Sequence, residues 1–249
     1  MSFIHVSKDG EIATVTLNRG KVNALIEPMV EVLIEAFQNL EKDDTVNSVI
    51  LTGSGKFFSF GFDVPEFLRY SKSDLISYLE KFTSLYTNIF QFPKPVIAAL
   101  NGHTIAGGCM LATACDYRLM VSGKAKIALN EITFGSSVIA GSVEMLRFCV
   151  GSKNAQSILY SGAMYSAEEA FELRLLDQVS SEAALAEDAR KVALEFAQRD
   201  SSAFGSIKLL LRKPVAERMM KRETDSILEF ADIWYSEQTW ENLKGIKIY

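Results

Sequence analysis

The sequence has few of the residues that usually hold metals or form disulfide frameworks. Its 249 residues include two histidines and three cysteines. Cys109, Cys115 and Cys149 lie in apolar surroundings, are odd in number and lack metal-ligand spacing. We therefore predict that the protein has no metal centre. We also predict that its thiols are buried in a reducing, cytoplasmic compartment.

Long apolar runs and blocks of one charge are also missing. No apolar run reaches the ~18 residues of a membrane span, and residues 1–6 show no basic region followed by an apolar core. We therefore predict no signal peptide and no membrane partner. The net charge of −5 without a Lys/Arg block argues against nucleic acid or an anionic membrane surface as a partner. It still allows a local basic spot for a phosphorylated ligand.

Patterns along the first half of the chain are typical of an α/β fold. The alternating segment 12–17 predicts a strand, paired with residues 3–6 across the turn Lys8-Asp9-Gly10. A helix over 27–40 follows, and then the order strand, glycine loop, helix, strand, glycine turn, helix. Such alternation favours an α/β layer with crossover connections.

From Ser142 onward the sequence predicts almost only helices. One helix over 208–213 is expected to end at Pro214, and a long amphipathic helix is expected over 216–240. Their apolar faces exceed what a helical hairpin could bury, so they either cover the α/β core or form a subunit interface. Aromatic residues close to the carboxyl end favour the interface; they are Phe230, Trp234 and Trp240.

Two glycine-containing loops predict a site for a developing negative charge. In residues 99–117 a strand-like run meets a turn, and an apolar helix is expected to begin at Gly107 and Gly108. Glycines leave backbone N–H groups uncovered at a helix N-terminus, where the dipole favours an anion. The loop 53–63 follows another strand and can supply a second donor. We interpret the two loops as the halves of an oxyanion hole.

Four motifs together resemble the crotonase (enoyl-CoA hydratase/isomerase) superfamily, in the same order and over essentially the whole chain. Each alone is a weak signal, but the four at these spacings are highly specific. The resemblance implies an α/β fold: a crotonase (ClpP-like) spiral of ββα units with perpendicular sheets, followed by a C-terminal helical region. The motifs are GKVNAL at 20–25, FSFGFD at 58–63, AGG at 106–108, and Asn130-Glu131 with Gly135.

The resemblance also implies how the chain is divided and what it binds. Residues 1–195 would form the spiral core, and residues 196–249 a helical trimerisation region. The chain would assemble as a trimer or as a dimer of trimers. Its ligand would be an acyl-CoA thioester, with no cofactor beyond the coenzyme A that is part of the substrate.

Matching the motifs assigns expected roles to individual residues. The backbone N–H groups of Phe62 and Gly107 would form the oxyanion hole. Where the family often has a phosphate-binding lysine this sequence has Pro65, and Lys56, Arg69 or Lys244 could replace that contact. The remaining substrate-binding residues implied by the resemblance are Lys21 near phosphate, Val22 and Ala24 through their backbone, and Phe60, Gly61, Gly108 and Met110.

The sequence departs from the hydratase pattern at one catalytic position. Hydratases of the family place two glutamates at the substrate double bond, and here the first position, three residues after Gly107, is Met110. The second is Glu131. Losing one acid–base group typically costs ~10²–10⁴ in rate. A single carboxylate is sufficient to move a proton from C2 to C4 of a 3-enoyl thioester, so the motifs favour a Δ3,Δ2-enoyl-CoA isomerase with Glu131 as its acid and base.

The sequence alone is also compatible with other functions. Hydration, another enolate reaction such as decarboxylation, and an inert acyl-CoA-binding oligomer are the alternatives. Apolar neighbours of Glu131 should raise its pKa by desolvation. We expect His103 and Asp63 to have structural roles. An acyl channel would need apolar side chains, for which the candidates are Phe67, Leu68, Val138 and Ile139.

Overall fold

Two sheets carry the strands of the protein. The structure is a computed structural model that describes residues 3–247. In this part of the chain the larger sheet has the order β1-β2-β3-β5-β7-β9 and the smaller one the order β4-β6-β8. The strands are β1 (Ile4–Asp9), β2 (Ile12–Leu17), β3 (Ser48–Gly53), β4 (Phe57–Ser59), β5 (Val96–Leu100), β6 (His103–Ile105), β7 (Tyr117–Val121), β8 (Ile127–Ala128) and β9 (Gln178–Ser180).

Helices connect the strands, and only helices follow β9 in the described chain. A short 3-10 helix over Glu131–Phe134 interrupts the series after β8. The α-helices are α1 (Glu27–Glu41), α2 (Val64–Phe67), α3 (Lys72–Gln91), α4 (Gly107–Ala114), α5 (Ala140–Ser161), which departs from helical geometry at Gly151, α6 (Ala167–Glu172), α7 (Leu185–Ala197), α8 (Ser201–Trp234) and α9 (Glu237–Lys244).

The central part of the chain repeats one unit of two strands and a helix. In β3-β4-α3, β5-β6-α4 and β7-β8-α5 the first strand joins the larger sheet and the second joins the smaller one. Pairing between successive units is parallel in both sheets. All five residues of β5 are buried, as expected for a parallel strand covered on both faces. This confirms the predicted spiral of ββα units followed by helices.

The predicted first hairpin is also present. β1 and β2 are antiparallel, with Ile4 opposite Leu17 and Asp9 opposite Ile12. β2 then pairs in parallel with β3. The hairpin therefore extends the parallel sheet at one edge.

The prediction that a helix ends at Pro214 is wrong, because α8 continues through this residue. Proline removes one helical N–H and clashes with the preceding turn, but buried ion pairs hold α8 before that point. Lys208 Nζ and Arg212 Nη2 lie 2.6 and 3.0 Å from the Asp116 carboxylate. Beyond the proline, two arginines of α8 bind Glu144. Tertiary contacts on both sides thus override the local preference.

The predicted extent of the last long helix is wrong as well. α8 ends at Trp234, and the separate helix α9 begins at Glu237 with Ser236 as its N-cap. Phe230 and Trp234 are 1% and 2% exposed, and their rings stack at 5.6 Å. These two aromatic residues therefore cover the core of their own chain, which was one of the two alternatives for this region. Trp240 is half-buried and stacks on Tyr235. Trimerisation stays a prediction.

Candidate active site

The loop 60–63 is paired with the segment 22–25 from the first glycine motif. The Leu25 N–H donates to the Gly61 carbonyl at 2.7 Å, and the Asp63 N–H donates to the Leu25 carbonyl at 3.1 Å. This is parallel β-bridge geometry between Leu25 and Phe62. In such a bridge the N–H of Phe62 points away from Leu25. Within residues 3–247 it has no acceptor.

The side chain of Phe62 anchors this loop from behind. Its ring lies 4.9 Å from Phe82 and 5.2 Å from Tyr78, both edge-on, and 5.6 Å from Phe67. Edge-to-face pairs of this kind contribute about 0.5–1.5 kcal/mol each beyond the area that they bury. The ring therefore packs, and the backbone N–H stays available.

Helix α4 begins beside this loop with an unusual backbone. Its N-cap residue Ala106 has φ 49° and ψ −117°, a conformation that normally needs glycine. Two hydrogen bonds hold it, from its own N–H to the Ala128 carbonyl at 2.8 Å and from the Met110 N–H to its carbonyl at 3.0 Å. The N–H of Gly107, first in the helix, has no intrahelical partner. Among the described residues it has no other acceptor either.

The two loops touch at Gly61. This residue has φ 89°, and a Cβ built on it would lie 2.8 Å from the Ile105 carbonyl oxygen and 3.0 Å from the Gly107 nitrogen. Only glycine fits such a position without strain. The approach brings the N–H groups of Phe62 and Gly107 onto adjacent loops, where both are free to donate.

Glu131 is the first residue of the 3-10 helix and is 4% exposed. Neither carboxylate oxygen has a hydrogen-bond partner among the described residues. Burial without a partner penalises the charged form and raises the pKa of Glu131 to about 8. The turn that carries it is closed by a hydrogen bond from the Ser136 N–H to the Glu131 carbonyl at 3.0 Å. The predicted upward shift of the pKa is confirmed in direction.

A cavity of about 210 Å³ connects Glu131 to the two loops. It is mainly apolar, and Glu131 is the one ionisable side chain among the described residues that line it. An apolar environment of this kind strengthens hydrogen bonds to developing charge. Its lining consists of Phe60, Phe62, Val64, Ile105, Ala106, Asn130, Glu131, Phe134, Phe230, Trp234 and Ile246.

A second, more open cavity of about 540 Å³ adjoins the first, and Phe60 lines both. It contains three lysines, Lys21, Lys56 and Lys247, which make it positively charged. Its other lining residues are Gly20, Val22, Ser54, Gly55 and Phe57. A ligand with an anionic part in this groove and an apolar part beside Glu131 would fit the two cavities together.

Several predicted site residues lie elsewhere. Ala24 is fully buried, and its carbonyl accepts from Arg19 at 3.0 Å. Met110 is 1% exposed, in the apolar core, and lines neither cavity. Gly108 packs against Ser59, since a Cβ on it would lie 2.7 Å from the Ser59 carbonyl oxygen. These three assignments stay predictions from the resemblance.

Of the residues expected to line an acyl channel or to replace the missing phosphate contact, most lie outside the two cavities described above. Phe67 and Ile139 are buried in the core, and Leu68 packs against it. Val138 lines a separate groove. Of the three cations proposed to replace the missing phosphate contact, Lys56 lines the lysine-containing cavity, whereas the others form ion pairs elsewhere: Arg69 with Glu66 and Lys244 with Glu241.

His103 and Asp63 have structural roles, as expected. The Nδ1 atom of His103 accepts from the Lys126 N–H at 3.2 Å, and its ring packs on Phe57. Burial lowers the pKa of His103. Asp63 caps α2 and forms an ion pair with Arg19 at 2.7 Å.

Sequence reasoning missed the part of the cavity that α8 and the following segment supply. Phe230, Trp234 and Ile246 lie far along the chain from the glycine motifs, and nothing local to them indicates a site. The four-residue spacing of Phe230 and Trp234 does place them on one helix face. Lys247 was missed for the same reason.

No helix of the described chain is both long and apolar enough to cross a bilayer. Residues 3–247 also contain no group of three or more His, Cys, Asp or Glu side chains placed to share a metal ion.

The spiral, the paired loops and the buried glutamate define a crotonase-type enzyme. The fold matches that of human mitochondrial delta3-delta2-enoyl-CoA isomerase with a TM-score of 0.92 and 25% identity, over 98% of this chain and 96% of that one. A family model described as enoyl-CoA hydratase/isomerase matches residues 7–247. The chain belongs to the enoyl-CoA hydratase/isomerase family.

Sequence relatives support the same family. A probable enoyl-CoA hydratase of Bacillus subtilis (strain 168) is 34% identical over 214 residues, which cover 85% of this chain and 82% of that protein. The carnitinyl-CoA dehydratase of Salmonella typhi is 30% identical over 243 residues, covering 96% and 92%. An enzymatic activity of the enoyl-CoA hydratase/isomerase kind, with an acyl-CoA substrate, follows from this membership.

Proposed function

We propose that this enzyme is an isomerase that moves the double bond of a 3-enoyl-CoA to the trans-2 position. One observation carries the proposal: among the described residues that line the apolar cavity Glu131 is the single carboxylate, and the position of a second hydratase glutamate is occupied by Met110. Methionine neither takes up nor releases a proton. The site is therefore equipped to move a proton and not to activate water with two carboxylates.

The reaction needs two proton transfers through one group. The ionised Glu131 removes a proton from C2, and the C–H electron pair delocalises onto the thioester oxygen as an enolate. The N–H groups of Phe62 and Gly107 donate to that oxygen; each such donor contributes roughly 10²–10³ in rate. The protonated Glu131 then returns the proton to C4. The C2–C3 double bond forms as the C3–C4 double bond is lost.

The second cavity holds the coenzyme A part of the substrate in this proposal. Lys21, Lys56 and Lys247 supply positive charge for its phosphates, and Val22 lies beside them. The acyl group passes Phe60, which borders both cavities, and reaches Glu131. Gly61 keeps the donor loops in contact.

Hydration is the second candidate, because relatives of this chain carry the names hydratase and dehydratase. The lining of the cavity argues against hydration, because among the described residues it contains one acid–base group, Glu131, and not the two carboxylates of a hydratase. Assembly as a trimer or hexamer and a cytoplasmic location belong to the same proposal, on the resemblance stated above. Size-exclusion chromatography with light scattering tests the assembly.

The deciding experiment offers trans-3-hexenoyl-CoA and, separately, crotonyl-CoA to the enzyme and identifies the products. We expect formation of the 2-enoyl thioester without appreciable hydration. Dominant hydration would reject the isomerase proposal.

Glu131→Gln is expected to abolish isomerisation and to change the Kd for acyl-CoA by no more than a few-fold. Retained turnover in this variant would remove Glu131 from the mechanism.

A further inference from the structure

Buried polar atoms without a partner collect around the cavity that contains Glu131. In the described chain such atoms occur on six residues, and three of these residues, Asn130, Glu131 and Trp234, line this cavity. The carboxylate of Glu131 is used by the proposed reaction. The Oδ1 atom of Asn130 and the Nε1–H of Trp234 have no role in it. Two residues that line the acyl cavity thus carry a buried acceptor and a buried donor to which the reaction gives no function.

An indole N–H is a donor only, and a buried Trp normally finds an acceptor for it. Trp234 is 2% exposed, and its ring stacks on Phe230 at 5.6 Å with an interplanar angle of 24°. A phenylalanine would provide an aromatic surface for such packing without leaving a donor unpaired. The N–H therefore calls for an explanation that packing does not give.

The helix that carries Trp234 is held firmly two to three turns earlier. The Glu223 carboxylate accepts from the Tyr86 O–H at 2.7 Å and from the Gly141 N–H at 3.3 Å. Ser226 Oγ accepts from the Ala140 N–H at 2.9 Å. Side chains of α8 thus cap the N-terminus of α5. These hydrogen bonds fix the position of α8, and with it the position of Trp234 beside the cavity.

We infer that Trp234 determines substrate specificity by donating its N–H to an oxygen on the acyl chain of the substrate. The inference rests on the proposed function and names its substrate class: enoyl-CoA thioesters whose acyl group has a hydroxyl beyond the reacting carbons. A hydroxyl oxygen is a neutral acceptor and supplies the partner that the buried N–H of Trp234 lacks. A carboxylate fits poorly, because it would place a second negative charge in an apolar cavity beside Glu131.

The test compares the binding of hexanoyl-CoA with that of 5-hydroxyhexanoyl-CoA and 6-hydroxyhexanoyl-CoA by calorimetry. These saturated probes report binding without turnover. A net hydrogen bond between neutral groups predicts that one hydroxylated probe binds roughly 2- to 10-fold more tightly than hexanoyl-CoA. Trp234→Phe should abolish this preference. The same substitution at the other tryptophan, Trp240→Phe, should leave it unchanged.

Spectroscopy gives a direct readout, because the chain has two tryptophans. With ¹⁵N-labelled tryptophan, the indole signal that is lost in Trp234→Phe should shift when the preferred hydroxylated probe binds and shift less with hexanoyl-CoA. Equal affinity of all three probes for the wild-type protein would overturn the inference, as would a preference retained in Trp234→Phe. Hexanoyl-CoA that binds without a preference for the hydroxyl rejects this inference alone. Failure of every probe to bind rejects the proposed function as well.

Discussion

Glu131→Gln should change how the stability of the protein depends on pH. The pKa of Glu131 is raised from 4.5 to about 8 in the folded protein because the carboxyl group is buried without a partner. The folded state therefore binds this proton more tightly than the unfolded state does. The stabilisation of the folded state by this bound proton is complete below pH 4.5 and is lost as the pH rises through 8. Gln keeps the shape of the side chain and cannot ionise.

The size of the effect follows from proton linkage. With these two pKa values, ionisation of Glu131 lowers the free energy of unfolding of the wild type. The decrease is about 1 kcal/mol at pH 5, about 3 kcal/mol at pH 7 and about 5 kcal/mol at pH 9. The free energy of unfolding of Glu131→Gln minus that of the wild type should thus increase by roughly 4 kcal/mol from pH 5 to pH 9.

Urea unfolding followed by tryptophan fluorescence measures this difference at each pH. Glu41→Gln, at an exposed position at the end of α1, is the matched control and should show no such trend. A difference between Glu131→Gln and wild type that stays constant from pH 5 to pH 9 would refute the reasoning. It would mean that water reaches the carboxylate and that the cavity is not dry. The same pKa predicts that the kcat/KM for isomerisation increases up to about pH 8 and then levels off.

Three other predictions concern the buried ion pair that holds α8, the contact between the two donor loops, and the lysine-containing cavity. Asp116→Ala should lower the free energy of unfolding by about 3–5 kcal/mol, since it leaves Lys208 buried without its counter-ion; a loss below about 1 kcal/mol in urea titrations would contradict this. Gly61→Ala should reduce kcat at least 10²-fold, because its Cβ pushes the donor loops apart, and wild-type turnover would show that the loop contact is dispensable. Lys21→Ala combined with Lys56→Ala should raise KM and weaken its salt dependence with kcat unchanged; an unaltered KM would place the phosphates elsewhere.

The local parts of the site were predictable from sequence because each depends on a few neighbouring residues. A glycine beside a close approach, as at Gly61, and a helix starting at Gly107 leave their marks in the motif itself. Glu131 was found through the resemblance of Asn130-Glu131 with Gly135 to the catalytic turn of the family, and its apolar neighbours indicated that it would be desolvated. The sequence pattern also predicted the first strand and the helix of each repeated unit, but it predicted a loop and a turn where β4 and β6 lie. The ββα spiral was implied by the family resemblance.

The C-terminal helices were not predictable in the same way. Pro214 signals an end that does not occur, because buried contacts such as that between Lys208 and Asp116 hold the helix together. Lys208 and Arg212 are buried, while Leu210 on the same helix is 76% exposed. A helix with its cations inward contradicts the usual hydrophobic pattern, so its orientation, and with it the position of Trp234, could be known only from the fold.

The docking of α8 has a consequence for the order of events during folding. The repeated units place the donor loops and Glu131 before α8 begins, yet Phe230 and Trp234 close the cavity only when that helix has docked. A chain in which α8 is not docked lacks these two aromatic side chains as apolar cover beside the carboxylate. The proposed isomerisation therefore requires α8 to be docked, and we expect a partly folded chain without this contact to leave thioesters unchanged.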